Sequence, residues 1–140
     1  MCYGGCPKWF HSSIGLLLVR LAVGGTFAVH GIAKLLNMSQ TVGFFGSIGF
    51  GPFWAYLVAL VETIGGVAIL LGVFLVPAGV LLAIVMLVAI FGVKWKMGYL
   101  GGYEYDVTLL ATLLGLISLG SGKYAIGGKK CCSADSCDCG

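Results

Sequence analysis

The stretch VALVETIGGVAILLG, residues 58–72, holds a single carboxylate, Glu62, near the middle of an otherwise apolar run. A helix on the surface of a soluble domain would set that acid among other charged groups, and the run contains none. As a membrane span it makes sense: the apolar side chains face lipid, and the acid turns inward to a partner. Intramembrane charges are costly, so they face a bundle interior and pair there.

The rest of the chain agrees. Its 140 residues are 59% hydrophobic and 9% charged, with 24 glycines, and the mean hydropathy is +1.06. Soluble domains carry roughly a quarter charged residues, so this composition suits a bilayer. A net charge of +3 is too slight for a nucleic-acid partner. Lys8 precedes the apolar IGLLLV, as in a signal peptide. Arg20 interrupts that run and apolar residues resume after it, which predicts a retained first span.

Four apolar segments emerge from the pattern: residues 14–36, 53–76, 78–95 and 104–119. A span needs about 20 residues, and continuous rather than alternating apolarity predicts helices. The expected fold is an all-α bundle of four transmembrane helices, with Pro77 ending the second segment. Residues 14–126 form the membrane domain, flanked by tails 1–13 and 127–140. Four crossings put both tails on one side. That side carries Lys8, Lys123, Lys129 and Lys130, and the other Lys34, Lys94 and Lys96. The positive-inside rule makes the tail side cytoplasmic and the protein a multi-pass component of the cell membrane. Trp54, Tyr56, Trp95, Tyr99, Tyr103 and Tyr105 fall at the opposite interface. There QTVGFFGSIGFGP, residues 40–52, is too short to span and reads as a re-entrant or interfacial loop.

Ionisable residues converge on that half. At 1.5 Å per residue, His30, Lys34 and Glu62 lie roughly 9, 3 and 13 Å below the surface, and Glu104 opens the last helix there. Gly65 and Gly66 share the face of Glu62 and admit a close neighbour. On the last helix Glu104, Thr108, Ala111, Thr112 and Gly115 share one face. Two readings stand for Glu62 with His30 or Lys34: a polar clamp between helices, or a site for a ligand or a proton. His30 suits proton exchange near neutral pH. Arg20 reads as an interface anchor or helix pin, and Glu104 with Asp106 as a helix cap or part of the polar site.

Together the pieces LLLVRLAVGGTFAVHGIAKL, LVALVETIGGVAILLGVF and GGYEYDVTLLATLLGLISLGSGKYAI resemble the DoxX family of small four-helix membrane proteins. The resemblance covers residues 14–126, and Arg20, His30, Lys34, Glu62 and Glu104 match the family's polar positions. It implies a link to terminal quinol oxidase or thiosulfate:quinone oxidoreduction, and some relatives look like membrane chaperones or assembly factors.

Three functions therefore compete. The first is a redox-associated subunit, an oxidoreductase component if it is an enzyme, that binds a quinone. In that reading His30 and Glu62 handle protons, and Arg20, Lys34, Glu104 and Tyr103 hold the ligand. A redox partner protein supplies electrons, and close glycine packing also suits a homo-oligomer. His30 is the sole histidine within a span, so no haem is expected. The second is a non-enzymatic binding or assembly module. The third is soft-metal handling by Cys2, Cys6, Cys131, Cys132, Cys137 and Cys139, all confined to the tails. C-x-C and vicinal cysteines favour a soft ion over a closed zinc site.

Overall fold

The computed structural model describes residues 12–120 and 124–126. Among the described residues the chain is helical and holds no strand. Helix α1 spans Ser12–Leu36, α2 Met38–Ser47, α3 Pro52–Leu71, α4 Leu75–Val88 and α5 Glu104–Leu119. Helix α4 runs on through a wide π-helical turn, Ala89–Lys94, and a tight turn, Trp95–Met97. Among the described residues, three stretches are long and apolar enough to cross a membrane: Ile14–Leu36, Pro52–Leu71 and Leu75–Met97. The outside of the molecule carries large apolar side chains such as Leu18, Val29, Ile64 and Phe91. In water such a surface would aggregate; in lipid it is solvated.

Helices α1 and α3 meet backbone to backbone. A Cβ on Gly66 would strike the backbone nitrogen of Ala28, and one on Gly31 would strike the side chain and backbone of Thr63. A Cβ on Gly24 would lie 2.8 Å from the Gly66 carbonyl. Lipid offers helices no hydrophobic drive to associate, so small residues that permit this approach do the packing. Elsewhere the core is built from side chains: Phe27, Ile69, Leu82, Leu113 and Leu116, with Val23 and Met86 around them. Gly65 faces Leu82 of α4, and Gly79 of α4 receives Ile117 of α5.

Arg20, 1% exposed, pins one end of the bundle. Its Nε and Nη2 donate to the carbonyls of Ile69 (3.1 Å) and Leu70 (2.8 Å), the last turn of α3. A cation suits the negative end of a helix, whose final carbonyls lack partners. The pin reading therefore holds, and the arginine turns inward rather than out to the interface. Past α5, the Ile126 amide donates to the Leu71 carbonyl at 3.1 Å. The start of α1, the end of α3 and the segment after α5 thus gather at one end.

Three local expectations need correction. Pro77 does not end the second segment. Gly72 does, at φ 71°, followed by Phe74 at φ 49°. Pro77 lies in the first turn of α4, where its missing N–H has no intrahelical acceptor to lose. Residues 38–47 form a helix where a loop was expected, and none of its residues is buried. On α5 the inward residues are Asp106, Leu113 and Leu116, whereas Thr108 and Ala111 face out. The threonines tolerate this because Thr108 Oγ1 donates to the Glu104 carbonyl (2.9 Å) and Thr112 Oγ1 to that of Thr108 (2.6 Å). A threonine bonded to its own helix sheds its polarity.

Candidate functional site

The close seam places the first functional pair. With Gly31 pressed on Thr63, the next turn of α1 brings Lys34 level with Glu62. Lys34 Nζ donates to both Glu62 carboxylate oxygens at 2.6 Å. Of the two partners expected for Glu62, the structure selects Lys34.

A second pair has the same form. Lys94 Nζ donates to Asp106 Oδ2 at 2.6 Å. A π-helical turn holds an extra residue, which rotates the positions beyond it out of α-helical register. Here that turn ends on Lys94, across from the first turn of α5, where Asp106 also meets the positive end of the helix. In both pairs the carboxylate is sealed and the lysine is accessible: 3% against 31% exposed for Glu62 and Lys34, 6% against 34% for Asp106 and Lys94. Among the described residues no buried side-chain polar atom lacks a partner.

Both pairs line one cavity of about 840 Å³. Helix α2 and the turn after it cover part of it with Phe44, Phe45 and Phe50; Trp54, Val58 and Val61 of α3 and Val85 and Val88 of α4 add further apolar wall. The polar wall comes from His30 and Lys34 of α1, Glu62 of α3, Lys94, and Tyr105 and Asp106 of α5. The rings of His30 and Tyr105 lie 6.1 Å apart and tilted. His30 is exposed to this space, four residues before Lys34, and makes no contact with Glu62 among the described hydrogen bonds. An apolar cavity with a few convergent polar groups is the usual form of a small-molecule site, and its size falls in the range of about 300–1,000 Å³.

Other expected site residues lie elsewhere. Arg20 is held by the end of α3. Glu104 Oε1 accepts from the Gly101 amide at 3.2 Å and caps its own loop. Tyr103 stacks on Trp95, 5.7 Å away and 12° from parallel. None of the three lines the cavity. Lys94 and Tyr105 line it although the sequence pattern gave them no site role, and Asp106 lines it in keeping with one of its two expected readings. Opposite charges at the facing ends of consecutive antiparallel helices were the available signal. Among the described residues no group of three or more His, Cys, Asp or Glu side chains is placed to hold a metal. The six cysteines lie outside the described residues.

Comparison with known proteins adds two findings. The chain is similar to CatD of Bacillus subtilis (strain 168), which carries the provisional name of an oxidoreductase. The two are 44% identical over 108 residues, 77% of this chain and 81% of the relative. No solved structure matches. The DoxX family pattern matches residues 15–95, a stretch holding α1 to α4, the Arg20 pin and the Lys34–Glu62 pair. With the relative's match extending over most of both chains, this protein belongs to the DoxX family.

Proposed function

We propose that this membrane protein is a component of a membrane oxidoreductase and binds a quinone or quinol in the cavity beside α2. The observation that carries the reading is the pair of Lys–carboxylate contacts lining one apolar cavity, each with the acid sealed and the ammonium accessible. Aromatic and aliphatic walls suit the ring of such a ligand, and Lys34, Lys94 and the Tyr105 hydroxyl suit its oxygens. A quinone takes up electrons and protons together when reduced. The electrons come from a partner redox protein. The chain's own residues supply orientation and protons: each lysine donates to a ligand oxygen, the carboxylate behind it holds the lysine in place, and His30 passes protons between the cavity and water. In this reading α5 is a fourth crossing, both ends of the chain face the cytoplasm, and the cysteine tails stay available there for a soft metal ion.

The test is binding of a water-soluble benzoquinone to purified protein in nanodiscs, read by quenching of tryptophan fluorescence, since Trp54 lines the cavity. Glu62→Gln and Asp106→Asn should each weaken binding about tenfold, because a lysine freed from its carboxylate is no longer held in one position against the ligand oxygen. Unchanged affinity in both would remove the assignment. The similarity to CatD supports the oxidoreductase class alone.

A further inference from the structure

The ionisable groups of the cavity come from α1, α3, α5 and the turn that ends on Lys94, and α3 and α4 supply much of its apolar lining. Leu57 of α3 and Leu81, Ile84 and Val88 of α4 line the cavity and are also 38%, 52%, 52% and 49% exposed. On each helix these residues sit between the inward face and the outward face. At 100° per residue, Leu57 lies between Val58 and Val61 of the cavity wall and Leu60 and Ile64 of the outer surface. Leu81, Ile84 and Val88 hold the equivalent edge of α4. The two helices touch where Leu82 meets Gly65, and beyond that contact their cavity-lining edges face each other. The rims formed by these two edges carry only apolar residues among those named as lining the cavity. The stretches that carry both rims, Pro52–Leu71 and Leu75–Met97, are each apolar enough to cross a membrane. The outward face of such a stretch meets lipid when it spans a membrane.

We infer that the cavity opens sideways into the bilayer between α3 and α4, and that its ligand carries an apolar tail that leaves through this mouth. The inference rests on the quinone reading and narrows it to the membrane-dissolved, tail-bearing class. The head enters first, toward the Lys34–Glu62 and Lys94–Asp106 pairs. The tail lies between Leu57 and Ile84 and continues into lipid. A water-soluble ring fills the head site and leaves the mouth to lipid chains.

The experiment compares one benzoquinone head with and without a decyl tail, binding to the full chain in nanodiscs. Wild-type protein should prefer the tailed compound at least about tenfold after correction for its partition into empty nanodiscs, the equivalent of roughly two buried methylenes. Ile84→Trp and Leu81→Trp, which fill the mouth, should reduce that preference to about twofold or less. The quantity read is the ratio of the two affinities, which a general loss of head binding does not move. A second measurement needs no variant: a photoreactive diazirine on the tail should label the peptides carrying Leu57 and Leu81–Val88. Equal wild-type affinity for both compounds, an unaltered ratio in the mouth variants, or labelling confined to α2 would each overturn the lateral mouth while leaving the quinone site standing. Failure of the wild type to bind either compound overturns the quinone reading and this inference with it.

Discussion

Replacing Lys34 by Met removes one half of an ion pair and leaves the other half where it cannot escape. Glu62 is 3% exposed and lies ten residues into α3 from Pro52. At 1.5 Å per residue that is about 15 Å along a helix long enough to cross a membrane. Stripping one partner from a buried pair costs about 3–5 kcal/mol when no water reaches the orphan. Lys34 is 31% exposed to the cavity, so water enters in its place, and about 2–3 kcal/mol is the expected loss after that screening. Glu62→Gln leaves the opposite orphan. The lysine stem swings its ammonium into the cavity, as long basic side chains do, and the loss falls to about 1 kcal/mol. The double variant leaves no orphaned charge in the interior, so its loss should be smaller than the sum by about 1–2 kcal/mol. Reversible unfolding in bicelles, by steric trapping or detergent titration, measures all three. If Lys34→Met proves no more harmful than Glu62→Gln, or the two losses simply add, the carboxylate is not the trapped member and the account of the pair is wrong.

The same geometry sets other outcomes. Gly66→Ala and Gly31→Ala should abolish folded, monodisperse protein or cost at least about 2 kcal/mol, since each Cβ meets the backbone of the facing helix. Gly25→Ala, with open space around its position, should be neutral or slightly stabilising by the helix propensity of alanine. Size-exclusion profiles and melting curves of the three would separate them. Arg20→Met should destabilise by about 2–4 kcal/mol by leaving the end of α3 without its cation, and Arg20→Lys should recover part of that through a single donor. Equal stability of Met and Lys variants in thermal unfolding would show that the charge at that helix end does nothing. Tyr105→Leu removes the ring facing His30 and a hydroxyl from the cavity wall. It should weaken benzoquinone binding about three- to tenfold at unchanged melting temperature, one neutral hydrogen bond's worth.

Much of the fold was legible because a bilayer imposes harsh rules on sequence. The segment at residues 104–119 matches α5 residue for residue, and the first begins within two residues of the start of α1. Glu62 announced an inward face because lipid leaves an acid no alternative, with His30 and Lys34 of α1 as its two candidate partners. The second pair stayed hidden for a geometric reason. Lys94 reaches Asp106 through a π-helical turn, and the assumption of 100° per residue misplaces everything beyond such a turn. The choice between His30 and Lys34 as partner of Glu62 was not legible for a related reason: a shared arc does not say which side chain reaches the acid and which ends in the cavity. The face of α5 was misread because Thr108 and Thr112 look polar in sequence, while their hydroxyls are spent on their own helix. Pro77 shows the ambiguity of proline, which ends one helix or begins another.

The glycine seam between α1 and α3 divides the molecule mechanically. Where backbone rests on backbone at Gly24, Gly31 and Gly66, little side chain remains to rotate or yield, so these two helices are expected to move as one plate. On the other side Leu82 rests in the hollow of Gly65, and Ile117 in that of Gly79. Those are contacts of flexible side chains, which slide at small cost. Widening or narrowing of the space around Lys34 and Lys94 therefore falls to the elements packed through side chains, α4, α5 and the exposed α2 cover, moving against that plate. Probes on α1 and α3 would serve as a stationary ruler, and probes on α4 would record the motion.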